Sequence, residues 1–129
     1  MKNKYILAIG CTSVCLLAGC ITPTPYQSDG LRGGYTQTQF DKDVFMDYFA
    51  GNPYTNIERT FDFTMLRSAE VCLEHGYGYF TIETGNAASS FGGSAAGILI
   101  KAYSQKPEKV LSFDAAFLKR SVKEKYHLQ

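Results

Sequence analysis

The chain has no tryptophan, only two histidines (His75 and His127), four cysteines and four prolines among its 129 residues. So few histidines leave little material for imidazole catalysis or a histidine-rich metal centre. Long apolar runs are also missing. The stretch from Tyr5 to Leu16 extends over about 12 to 15 residues at most, where a membrane-crossing helix needs roughly 20, so no transmembrane span is expected. An excess of one charge is lacking too, because the formal net charge is +1.

What is there begins at the N-terminus. Lys2 and Lys4, the apolar stretch and the small residues after it form the three parts of a secretory signal. The signal closes on Leu17-Ala18-Gly19-Cys20, the lipobox pattern. Its small Ala18 and Gly19 admit the backbone to a peptidase, and the Cys20 thiol accepts a diacylglyceryl group before cleavage. Residues 1–19 are therefore expected to be removed and Cys20 to carry acyl chains. Each buried methylene contributes about 0.8 kcal/mol, so one chain binds marginally and two or three anchor stably. Similarity to lipoproteins in general adds an expectation about sorting. Inner-membrane retention usually follows an Asp after the lipidated cysteine; Ile21 stands there, which favours the outer membrane with the domain facing the periplasm.

Loss of residues 1–19 leaves 110 residues, enough for one small domain. The 11 basic and 12 acidic residues that remain give no reason to expect nucleic-acid binding. Their distribution is uneven: four basic against nine acidic residues from Cys20 to Ile100, then seven against three from Lys101 onward. Lys119, Arg120, Lys123 and Lys125 either face an anionic surface or form the solvated side of a terminal helix, and the second reading needs no partner. Cys72 becomes the only thiol outside the anchor, so no internal disulfide is expected and Cys72 is either buried or able to pair with another chain.

Residues 21–34, with two Thr-Pro steps and three glycines, read as a flexible tether of about 50 Å when extended. Residues 35–129 read as the domain. Alternation over Asp43–Phe49 predicts a strand, and residues 35–41 an earlier extended segment. Thr55 and Glu58 have capping-box spacing, predicting a helix from Asn56 to His75 with Gly76 as terminator. Ile57, Phe61, Met65, Ala69 and Cys72 share one face of it. Tyr77–Thr84 and Gly97–Ser104 alternate as strands, and the Gly, Ala, Ser and Asn of Gly85–Ala96 suggest a flexible connection between them. Val110–Phe113 suggests a short edge strand, and Asp114 the cap of a last helix carrying Phe117, Leu118, Val122 and Tyr126. The expected fold is α+β: a small antiparallel sheet of three to four strands with two helices packed on one face.

Chemistry-bearing groups are few. Cys72 and His75 have helical spacing that would let them meet as a thiolate-imidazole pair or half a zinc site, but Cys72 falls on the apolar face. Glu70 and Glu74 are one turn apart, with Arg67 placed to neutralise them. Tyr35, Tyr48, Tyr54, Tyr77, Tyr79 and Tyr103 could line a peptide or glycan groove, although core packing and strand propensity account for most of them.

The order Gly34-Tyr35-Thr36, Ala50-Gly51-Asn52, Leu66-Arg67-Ser68-Ala69-Glu70, then Glu74-His75-Gly76-Tyr77 and Phe80 resembles an uncharacterised family of small bacterial lipoproteins first named from Caulobacter reading frames. That family has Gly-Tyr-Ser, Gly-Asn, Arg-Ala-Ala-Glu and Gly-Tyr-x-x-Phe motifs in this order. The likeness covers about residues 33–84, and more loosely 112–118; Thr36 and Ser68 depart from the pattern. It implies a lipoprotein and this fold, and carries over no catalytic residue.

The expectation is thus a lipid-anchored, non-enzymatic envelope lipoprotein without cofactor or metal. The membrane and envelope proteins are its partners, and nucleic acid is not. The alternative is a periplasmic module binding a small ligand, peptide or glycan through the Tyr-rich strands, with Gly85–Ala96 as a lid.

Overall fold

The computed structural model describes residues 22–129. Two extended segments, β1 (Gly34–Asp41) and β2 (Val44–Gly51), form a hairpin, followed by α1 (Ile57–Glu74), a second hairpin of β3 (Tyr79–Ser90) and β4 (Gly93–Tyr103), a short β5 (Phe113–Asp114) and α2 (Ala115–Lys125). The strands make one antiparallel sheet in the order β1-β2-β4-β3-β5. The α+β class stands as expected, but the sheet has five strands rather than three to four.

The full width includes both outer segments read as extended, the first as β1 and the last shortened to β5, while the extra length of the second hairpin comes from a segment with little sequence signal. Gly85–Ala96 is not a flexible connection: its residues pair across β3 and β4 as far as Ser90 opposite Gly93, so only Phe91 and Gly92 turn the chain. Backbone hydrogen bonding builds this part of the ladder without help from side-chain alternation. Gly93 is required at the turn, because it has φ +136 and a Cβ there would lie 2.1 Å from the Gly51 carbonyl oxygen.

One face of the sheet holds the core. Phe45 and Phe49 of β2, Ile98 and Ile100 of β4 and Phe80 of β3 are closed off from solvent beneath α1. The second helix lies on the same side and packs chiefly against α1, with Val122 and Tyr126 meeting Phe63 and Leu66. Asn56 caps α1, its side chain accepting from the Arg59 amide at 2.8 Å, and Asp114 caps α2 through the Phe117 amide at 2.9 Å. At its other end α1 closes in a Schellman motif. Gly76 has φ +80, its amide donates to Leu73, and the Tyr77 amide donates to Cys72 at 2.8 Å.

The face that α1 buries includes the expected Met65, Ala69 and Cys72, but its first two turns are rotated away from the expectation. Thr60, Thr64 and Ser68, one turn apart, lie against the sheet together with Val71 and Cys72, while Ile57 and Phe61 remain more than a third exposed. Small hydroxylated side chains let the helix approach β4 closely. Thr60 shares a hydrogen bond with Ser94, Ser94 Oγ donates to the Thr55 carbonyl at 2.7 Å, and Thr64 Oγ1 donates to the Thr60 carbonyl at 2.9 Å. Each of these hydroxyls therefore has a partner.

The expected tether is also different. From Thr24 on, this segment is fastened to the domain. Thr24 is fully buried, its amide donates to Thr55 Oγ1 at 2.8 Å, and its hydroxyl donates to the Arg32 carbonyl at 2.8 Å while accepting from the Asn52 amide at 2.9 Å. Tyr26 packs on Tyr35 and Phe63, with ring centres 4.8 and 5.3 Å away. A threonine and a tyrosine supply the packing that the low apolar content of this segment concealed.

Candidate functional site

The buried polar side chains converge where α1 passes over β1 and β2. Asp47 lies at the centre, closed off from solvent on the helix-facing side of β2, with Gln37 of β1 as its cross-strand neighbour. Its Oδ2 accepts from Ser68 Oγ at 2.7 Å, while its Oδ1 has no hydrogen-bond partner. Burial pushes the carboxyl up to about 6, against the downward pull of the Ser68 hydroxyl and the Arg67 guanidinium.

Arg67 ties the rim together. It meets Glu70 at 3.3 Å and Glu74 at 3.2 Å, donates from Nε to Gln37 Oε1 at 2.8 Å, and stacks over the Tyr35 ring at 4.7 Å. Burial alone would lower its affinity for a proton, but the Glu74 carboxylate outweighs that and holds the guanidinium firmly charged. The Tyr26 hydroxyl donates to Glu70, and burial, then Glu70, push its ionisation far above the usual phenol range. The Glu70, Glu74 and Arg67 group foreseen as an ion-paired cluster is thus assembled. Tyr26, Gln37, Asp47 and Ser68 complete it, and sequence reasoning did not find them.

The chemistry of this cluster is that of a clasp. One guanidinium is shared among two carboxylates, an amide and a ring, joining α1 to β1, while Tyr26 brings in the segment that precedes the sheet.

Cys72 and His75 are not brought together as a reactive pair. Cys72 is fully buried, and burial, then the charge of Asp47, push its thiol up to about 12. His75 Nδ1 pairs with the Val71 carbonyl at 2.9 Å, and its ring rests on Phe45 with centres 4.7 Å apart. Among the described residues, no group of three or more His, Cys, Asp or Glu side chains could hold a metal ion.

The tyrosines do not share one groove. Tyr35 belongs to the helix-facing side, whereas Tyr48, Tyr79 and Tyr103 alternate onto the open face. Tyr48 sits opposite Gly97 and Tyr79 opposite Tyr103, a separation of about 20 Å along β4. Tyr48 instead walls a shallow notch of about 320 Å³ over Gly97, together with Met46, Thr84 and Asn86. Tyr54 projects from the loop before α1, and the Tyr77 hydroxyl donates to the Lys42 carbonyl at 3.2 Å.

The basic residues of α2 divide. Lys125 pairs with Glu58 at 2.6 Å and Asp62 at 2.7 Å, and those two bonds keep its ammonium charged well above the usual lysine range. Lys119, Arg120 and Lys123 rim a groove of about 560 Å³ floored by Leu73, Ala116 and Leu128.

Leu17, Ala18, Gly19 and Cys20 lie outside the described residues. The first described residue, Thr22, is close to the domain, its carbonyl accepting from Asn52 Nδ2 at 2.7 Å and its hydroxyl from Arg32 at 3.1 Å. Among the described residues, no helix is long and apolar enough to cross a membrane. No family model, curated protein or solved structure matches this chain.

Proposed function

We propose that this chain is a lipid-anchored lipoprotein of the cell envelope, cleaved before Cys20 and seated on the periplasmic side of the outer membrane. Its small α+β domain serves there as a non-enzymatic structural or interaction module, of the kind suggested by the resemblance to small bacterial lipoproteins. The observation that carries the reading is the sequence Leu17-Ala18-Gly19-Cys20 closing a short basic-apolar leader. The interior supports the second half of it. Arg67, Glu70, Glu74 and Tyr26 commit their charges and hydrogen bonds to one another, and Ser68 bonds to Asp47, which suits a framework better than a reaction centre.

Intact-mass measurement of membrane-extracted protein, paired with crosslinking from the same fraction, tests it. A mass equal to residues 20–129 plus three acyl chains, with envelope proteins captured, is the expected result. A soluble unlipidated chain, or one retaining residues 1–19, would overturn it.

A second reading, a module binding a peptide, glycan or small ligand, is favoured by the open-face notch over Gly97. In that position a side-chain Cβ would stand 3.3 Å from Tyr48 Cδ2 and 3.8 Å from Asn86 Oδ1. Gly97 therefore leaves room between an aromatic wall and an amide, as ligand sites on sheets often do. Thermal-shift screening against glycans, peptides and metals separates the readings: a melting temperature unmoved by every class counts against the binding module.

A further inference from the structure

Three loops and the segment at Thr22 meet at one end of the sheet, where β1 starts, β2 stops and the second hairpin turns. Gly51 pairs with Ser94, so the turn at Phe91 and Gly92 stands beside Asn52. A Cβ on Gly33 would lie 2.3 Å from the Ala50 carbonyl oxygen, which places the Gly30–Gly33 turn beside the same strand end. Asn52 also holds the Thr22 carbonyl. The loop leading into α1 completes this end, with its Thr55 amide bonded to Asn52.

The large side chains at the tips of these loops are apolar and turned outward. Leu31 is 109% and Phe91 105% exposed relative to the free residue, and Tyr54 is 53% exposed. Neither Leu31 nor Phe91 contributes to the core, so each leaves apolar surface in water at the point of a turn, where small polar residues are the norm. Cys20 precedes Thr22 by two residues, at most about 7 Å of extended chain. Lipid on Cys20 would therefore bring this end of the domain, rather than the far end where α1 stops, to the bilayer surface.

We infer that the domain docks on the lipid bilayer through this end, Leu31 and Phe91 entering the acyl boundary alongside the acyl chains of Cys20 while Tyr54 lies at headgroup level. The inference rests on the lipoprotein reading. Two apolar tips alongside an acylated cysteine give three contacts that fix the tilt of the domain, where acyl chains alone would leave it free to swing. Tyrosine suits the interface because its ring is apolar and its hydroxyl stays wet.

The chain has no tryptophan, so single indole reporters are introduced cleanly. The full-length precursor carrying Phe91→Trp, Leu31→Trp or, as a reference on α2 toward the far end, Phe117→Trp is processed in cells. It is then extracted, checked by intact mass and reconstituted into phosphatidylethanolamine–phosphatidylglycerol vesicles with and without brominated acyl chains. Docking requires that the Phe91→Trp and Leu31→Trp proteins emit to the blue of the Phe117→Trp reference, and that brominated lipid quenches both while leaving the reference bright. A lipidated Phe91→Trp protein whose indole is unquenched, whether red-shifted in water or blue-shifted against a protein neighbour, overturns the docking and leaves the anchor intact. A mass without lipid shows that the anchor itself is wrong, and the docking falls with it.

Discussion

At the scale of single residues, Asp47 is the group whose environment most constrains the molecule. Its buried carboxyl titrates near 6, above the 3.8 of a free aspartate. Between these values the folded chain binds more protons than the unfolded one, so stability decreases as pH rises through this window. The difference corresponds to a loss of up to about 3 kcal/mol between pH 4 and pH 7. Asp47→Asn removes the titration, so urea midpoints of the variant should lose this part of the decline while the native protein keeps it; parallel slopes would show that Asp47 is not desolvated. Cys72 makes a complementary test. With its thiol buried and pushed up to about 12, it should resist iodoacetamide at pH 8 in the native state and react fully in urea. Rapid native labelling would place it at an accessible surface and revive its pairing with another chain.

At the scale of elements, helix ends were legible to within a residue and the buried face of α1 only in part, through Met65, Ala69 and Cys72. Gly76 and Asp114 announce the end of α1 and the start of α2, and the start of α1 falls one residue later than expected, Asn56 rather than Thr55 being its cap; capping is local, depending on residues within one turn. Asn56→Ala should cost about 1 kcal/mol, and Gly76→Ala about 1–2 kcal/mol for holding an alanine in the left-handed region, both read from thermal or urea melts. Gly76 has no atom within 4 Å of a built Cβ, so a larger loss would have to come from something other than crowding. The rest of that face was hidden because Thr60, Thr64 and Ser68 carry no hydrophobic signal; their burial depends on Ser94, Ala96 and Asp47, more than twenty residues away in sequence. The long second hairpin was hidden for the same reason. Gly85-Asn86-Ala87-Ala88-Ser89-Ser90 has the composition of a linker, and only the pairing with Gly93–Ile98 makes it a strand. Of the candidate site, the Arg67, Glu70 and Glu74 cluster could be read from helical spacing, whereas Tyr26, Gln37 and Asp47 reach it only through the fold.

At the scale of the whole molecule, the boundary between anchor and domain decides how the protein meets its membrane. Composition places that boundary near residue 35, but packing places it before Thr24. Removing residues 22–33 would strip Tyr26 from Phe63 and Tyr35, leave the Glu70 carboxylate without its phenol, and unpair the Asn52 amide, now satisfied by Thr24, while Thr55 Oγ1 would lose the Thr24 amide and keep its bond to Asn52 Oδ1. Losing a core aromatic costs about 3–5 kcal/mol, and each buried polar group left unpaired about 1–3 kcal/mol, against a total stability of about 5–15 kcal/mol for a domain of this kind. A chain of residues 34–129 should therefore melt far below one of residues 22–129, or fail to fold, as read by circular dichroism and limited proteolysis. Thr24→Val gives a finer test, since it keeps the volume and removes only the hydroxyl that bridges Arg32 and Asn52; it should lower stability by about 1–3 kcal/mol and open the 25–33 segment to protease. If both the truncated chain and the variant matched the parent, residues 22–33 would be a free strap. The domain could then drift tens of ångströms from its lipid, and the close seating of Leu31 and Phe91 on the bilayer would lose its mechanical basis.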